Sequence, residues 1–177
     1  AIKALESISS LIEEGMYTDA LELLRECEKK FPNDINIALN KSGLFIDLGH
    51  YLSDADTVER GIAAGELCLK NDGFKKYRGM LLYNVANGIQ FRIRKHFNNN
   101  GAYFGAEEDV RQCVEMLKES IAITGNPSAM VNLGNLYDET GRPLEAIIEY
   151  ENATTKDASF GMAHGNNALA IKKLSHI

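Results

Sequence analysis

Between Pro127 and Phe160 the chain places small residues where two helices must cross and bulky ones beside the crossing. Leu133, Gly134, Tyr137, Gly141, Ala146, Tyr150 and Ala153 take positions 7, 8, 11, 15, 20, 24 and 27 of a 34-residue unit counted from Pro127. Apolar residues recur at helical spacing on either side of Gly141, so the unit reads as two amphipathic helices joined by a tight turn. Gly134 and Ala146 let the two backbones approach, and Tyr137 and Tyr150 fill the space beside that approach. Pro143 suits a first helical position, where its missing N–H is not needed. A unit of this length cannot bury its apolar face alone and is stable only when stacked on neighbours.

The rest of the chain follows the same frame with variations. Ala1 to Asp34 matches through Leu11, Gly15, Ala20, Leu24, Cys27 and Pro32, with Ile8 at a normally small position. Strand signals are nearly absent. Turn signals fall at Glu14-Gly15, Pro32-Asn33, Gly49, Asn71-Asp72-Gly73, Asn126-Pro127 and Gly141-Arg142-Pro143, since Gly, Asn and Pro punctuate helices. These predict helices near 2–14, 17–30, 34–48, 54–70, 74–96, 106–124, 127–140, 143–156 and 159–175. The middle is stretched: Asn40 to Asn84 exceeds 34 residues by ten, and Asn84 to Asn132 by fourteen. The second excess is expected in an exposed irregular loop over 97–105, rich in Asn and Gly, whose Phe97, Tyr103 and Phe104 could flap over a ligand. The first excess is expected either in 47–59 or in a longer helix near 54–70.

The pattern from Pro127 to Phe160 resembles the tetratricopeptide repeat, with Met130 in place of the usual Trp at position 4 and Ala158 in place of Pro at position 32. The resemblance implies an all-α chain, a right-handed helical solenoid of antiparallel helix pairs. It implies one domain over 1–177, with repeats near 1–34, 35–78, 79–126 and 127–160 and a terminal helix over 161–177. It further implies a scaffold that binds a protein or an extended peptide along the concave face made by the first helices.

First helices starting at 35, 79, 127 and 161 put Asn40, Asn84, Asn132 and Asn166 all at position 6, with Asn87 and Asn135 at position 9 one turn further. Tyr83 takes position 5, and Gln90 and Asp138 take position 12. Asn is a mediocre helix former, and these six asparagines lie too far inside their helices to serve as N-caps. A side-chain amide donates to a peptide carbonyl and accepts from a peptide N–H, so a row of them suits an extended backbone of any sequence. The competing expectation is that these amides bond between neighbouring helices. Arg92 and Arg94 form a candidate electrostatic anchor for an acidic partner, against the simpler expectation of cations matched to a helix C-terminus. The family's carboxylate clamp is not expected. Its lysine positions hold Leu39, Tyr83, Val131, Asn36, Met80 and Ser128.

Composition sets the outer limits. The net charge of −6 argues against nucleic acid as the main partner, although residues 70–96 hold seven Lys and Arg against Asp72 alone. Cys27, Cys68 and Cys113 are widely spaced and read as buried thiols of a cytoplasmic protein, not as zinc ligands or disulfides. No membrane span, signal peptide, metal site or cofactor is expected. The chain begins at Ala1, as expected of a piece of a longer protein. No GxSxG, HExxH or GxxxxGK[ST] motif is present, and His50, His96, His164 and His176 form no triad spacing. No enzyme activity is therefore expected. Arg92 and His96 are too close for the Arg-x4–6-His motif of HEPN ribonucleases. The tail from Phe160 to Ala170 nevertheless resembles repeats that precede such domains in bacterial defence proteins, which implies a regulatory segment of a larger enzyme as an alternative. Self-assembly as a homo-oligomer through the ends of the array is a third reading.

Overall fold

A computed structural model describes residues 1–32 and 34–175. Asn33, in one expected turn, and His176 lie outside the described residues. Among those described there are nine α-helices, one 3-10 helix and no strand. The helices are α1 (Ile2–Glu13), α2 (Tyr17–Lys30), α3 (Ile35–Leu52), α4 (Ala55–Leu69), α5 (Arg78–Asn100), α6 (Glu107–Thr124), α7 (Pro127–Glu139), α8 (Pro143–Lys156) and α9 (Gly161–Leu174), with the 3-10 helix at Asp72–Tyr77. They form two compact units, Ala1–Arg92 and Ile93–Ile177, whose division falls inside α5.

Within the first unit, α1 and α2 make a hairpin. Ile8, Ala20 and Leu24 are fully buried, and Leu21 and Cys27 nearly so. The turn between the helices is fixed by two backbone bonds. The Met16 N–H donates to the Leu11 carbonyl at 2.8 Å and the Gly15 N–H to that of Ile12 at 3.0 Å, the paired bonds of a Schellman motif. In the second unit the same turn recurs between α7 and α8. Arg142 donates to Tyr137 at 2.8 Å and Gly141 to Asp138 at 3.2 Å. Gly15 and Gly141 have φ of +77° and +79°, a conformation that glycine adopts without Cβ strain. Each therefore closes the same position of its repeat.

The stretched repeat departs from expectation at Gly49. Helix α3 does not stop there but runs one turn further, to Leu52. The left-handed residue is Ser53, with φ 53°. Asp54 and Ser53 donate to Gly49 and His50 at 2.8 and 3.2 Å, so the same turn forms without a glycine. Gly49 serves a different need: a Cβ there would lie 2.5 Å from Val58 Cγ2 and 2.8 Å from Val58 N. It is a crossing residue, not a turn residue. The extra turn of α3 and the 3-10 helix at 72–77 take up the surplus of the second repeat.

The α3/α4 crossing is built from small residues throughout. Buried Ser42 donates its Oγ proton to the Gly61 carbonyl at 2.9 Å. A Cβ on Gly61 would lie 2.8 Å from the Ser42 carbonyl oxygen, and one on Gly65 2.6 Å from Ser42 Oγ. Asp34 and Asp54 cap α3 and α4 by accepting backbone N–H bonds from Asn36 and Ile37, and from Asp56 and Thr57. The first part of α5 then packs on this pair, with Gly88 against Ile62 and Ile46.

In the second unit α7 and α8 cross at Gly134, where an added Cβ would meet the Tyr150 ring at 2.5 Å. Ala146 and Ala153 are fully buried beside it. The expected loop over 97–105 is shorter than anticipated, because α5 runs on to Asn100. Asn is a poor helix former, yet the Asn100 amide donates to the His96 carbonyl at 2.9 Å, and Gly101 (φ +69°) ends the helix with a bond from its N–H to the Phe97 carbonyl at 2.7 Å. The surplus of the third repeat thus lies chiefly in helix.

Two substitutions in the second unit should move stability in opposite directions. Ala146→Leu overpacks the α7/α8 crossing and should cost about 1–3 kcal/mol. Gly165→Ala, in an exposed stretch of α9 where nothing lies within 4 Å of the new Cβ, should stabilise by about 0.5–1 kcal/mol. Thermal melts followed by circular dichroism check both, and an unshifted Ala146→Leu melt would mean the crossing is looser than described.

Candidate functional site

The candidate residues divide between the units. Asn40, Tyr83, Asn84, Asn87, Gln90 and Arg92 belong to the first, and Arg94, Asn132, Asn135, Asp138 and Asn166 to the second.

In the first unit the candidates differ in availability. Asn40 is exposed, and its amide folds back to donate to the Asn36 carbonyl at 2.8 Å. Tyr83, Asn84 and Asn87 are half-buried on α5. The Asn84 amide nitrogen lies 3.0 Å from where a Gly43 Cβ would sit, so the absence of a side chain on α3 makes room for it. No side-chain hydrogen bond from Asn84 forms among the described residues. Gln90 is only 3% exposed and belongs to the interior. Arg92 pairs with Glu59 on α4 at 3.1 Å.

In the second unit the amides are joined. The Tyr150 hydroxyl donates to Asn135 Oδ1 at 2.9 Å, and the Asn166 amide donates to the same oxygen at 2.8 Å. Burial, with Asp138 and Glu139 nearby, pushes the Tyr150 hydroxyl up, which keeps its proton in place for this bond. Asp138 accepts from Lys173 on α9. Two polar contacts therefore run from α7 to α9, both between first helices of successive repeats. Asn132 is half-buried and engaged within the chain. Arg94 pairs with Glu139 at 2.9 Å.

Two amide groups of the joined pair stay uncommitted among the described residues. Asn135 uses its oxygen and retains its amide N–H groups, while Asn166 uses one N–H and retains its oxygen. One donor and one acceptor thus stand on adjacent helices, the complement of one peptide carbonyl and one peptide N–H. Tyr150 reads from the sequence as a crossing filler only. Its role in holding Asn135 depends on a contact between α7 and α8 that no local pattern encodes.

All three cysteines are buried. Burial pushes the Cys113 thiol up to about 12, so it remains protonated and a poor nucleophile. Among the described residues no three His, Cys, Asp or Glu side chains are grouped to hold a metal ion. No helix among them is long and apolar enough to cross a membrane.

No protein-family model matches the sequence, and no curated protein matches it. Solved structures do. A crystal structure of MamA superposes with a TM-score of 0.63 at 17% identity, covering 95% of this chain and 84% of that one. A second MamA structure gives 0.62 at 17% identity, with 97% and 80% covered. A thermophilic TPR protein of Thermus thermophilus gives 0.53 at 16% identity, with 96% and 97% covered. At such identities the likeness speaks for the fold, and the chain has a tetratricopeptide-repeat-like fold of the helical-solenoid class.

Proposed function

We propose that the chain is a protein-binding scaffold whose first helices grip an extended segment of a partner through asparagine amides. The observation that carries this reading is the pattern of unused amide groups. Asn84 is half-buried beside Gly43 with no side-chain hydrogen bond among the described residues. Asn135 and Asn166 together retain one donor and one acceptor. A half-buried amide without a partner forgoes a bond it would otherwise make, and an extended peptide supplies that bond. Water can take the same place in the free protein, which a peptide then displaces.

Arg92 and Arg94, which lie inside α5 and not in its last turn, contribute less. Arg92 and Arg94 each already face a carboxylate, from Glu59 and Glu139. An acidic partner would have to compete with these pairs, so the two arginines tune the rate and salt dependence of encounter more than affinity. Gln90, being buried, is a structural residue in this reading.

Peptides selected from a random phage-displayed library against the chain provide the test. Asn84→Ala and Asn166→Ala should each weaken the tightest selected peptide by about 1–3 kcal/mol, because each leaves peptide groups unpaired. The melting temperature should hold or rise slightly for Asn84→Ala, since Ala is the better helix former by several tenths of a kcal/mol. Selection of no peptide, or affinities indifferent to both substitutions, would place the binding surface elsewhere.

A further inference from the structure

The segment joining α5 to α6 is short and held from both sides. His96 donates its Nε2 proton to the Phe104 carbonyl at 2.8 Å, and the Gly105 N–H donates to Glu107 Oε2 at 2.8 Å. The Tyr103 ring stacks on Phe97 with centroids 4.5 Å apart. Ala106 is buried, and its N–H donates to the Tyr103 carbonyl at 2.9 Å. Left-handed Gly101 and Gly105 allow the tight path. Yet this anchored segment leaves Phe104 86% exposed, more than any other large apolar side chain described. A phenyl group on a mobile tail needs no explanation. One presented on a fixed loop is a knob with a set position.

The residue preceding Phe104, Tyr103, lines a cavity. That cavity, of about 560 Å³, has Tyr103 and, from α6, Val110 and Val114 as its apolar lining. That volume accommodates a phenyl ring with room to spare. Glu107, Arg111, Glu115, Lys118 and Arg142 also line the cavity, Arg111 already paired with Glu115 at 2.8 Å and Arg142 with Glu145 at 2.9 Å. Lys118 makes no ion pair among the described residues. The patch therefore carries an apolar knob, an apolar hole and charges of both signs within one small area of the second unit.

Those three features together favour a copy of the same chain over any other occupant. A two-fold contact pairs each patch with itself, so a knob beside its own hole can fill the hole of its neighbour while receiving the neighbour's knob. Lining charges of one sign would repel their copy, whereas Glu107 and Lys118, neither in an ion pair among the described residues, can pair acid with base across the axis. We propose that the chain self-associates through this patch, Phe104 of each copy entering the cavity between Tyr103, Val110 and Val114 of the other. No residue of this contact is among those proposed to grip a peptide.

Sedimentation equilibrium on the intact chain, over about 1 µM to 1 mM, tests the proposal. A reversible monomer–dimer equilibrium is expected. Phe104→Ser should abolish the dimer with an unchanged melting temperature, because the ring touches little in the monomer. Lys118→Glu should raise the dimer dissociation constant roughly tenfold at low salt and less at high salt. The double variant Asn84→Ala, Asn166→Ala should dimerise normally, which separates this contact from peptide binding. A chain that stays monomeric throughout, or a dimer that Phe104→Ser leaves intact, overturns the assignment.

Discussion

Close approach of paired helices is the constraint on which the other features depend. At Gly134 the Tyr150 ring occupies the volume of the missing side chain. At Ser42, Gly61 and Gly65 two backbones come near enough for a hydroxyl on one helix to reach a carbonyl on the next. Such crossings convert the area between helices into van der Waals contact with few voids. They also fix where each helix ends. The same two turn bonds recur after α1, α3 and α7, although the residue in the left-handed position is Gly15, Ser53 or Gly141. That Ser53 accepts this conformation shows the turn to be set by the packing of the helices it joins, with glycine the least strained of its solutions.

The polar chemistry follows from that geometry. Tyr150 must lie across Gly134 to fill the crossing, and this direction carries its hydroxyl to Asn135 on α7. With its oxygen so placed, Asn135 can also receive the Asn166 amide from α9. A core packing requirement therefore orients a surface amide, and that amide orients the next. The first unit reaches a related end by subtraction, since Gly43 leaves the space into which the Asn84 amide is set.

Much of the fold is legible in the sequence because its signals are local. Helix periodicity, the glycines at 15 and 141 and the small residues at 20, 134 and 146 each announce their role within a few positions. Gly49 shows the limit of that legibility. A glycine reads equally as a turn or as a crossing, and only the proximity of Val58 decides between them. Propensity places Asn98 to Asn100 in a loop, but a side-chain bond back to His96 and a glycine cap draw them into α5. The candidate site is legible as a set of residues and not as a network. Spacing places asparagines in register, but it cannot tell that Gln90 is interior, that Asn40 bonds its own helix, or that Asn135 and Asn166 divide one donor and one acceptor between them.

Amides suit this kind of surface better than charges would. A charged group set half-buried between helices needs a counter-charge, and Arg92 and Arg94 have each found one in Glu59 and Glu139. Once paired, such groups offer a partner little net gain, since breaking the old pair offsets most of the new one. A neutral amide carries a smaller desolvation cost, and it can use one group within the fold while presenting the other outward. Asn135 and Asn166 do this in opposite senses, so the same bond that ties α9 to α7 also leaves a donor and an acceptor on neighbouring helices. The recognition proposed above need not compete with the structural role of these amides, because each has enough groups for both.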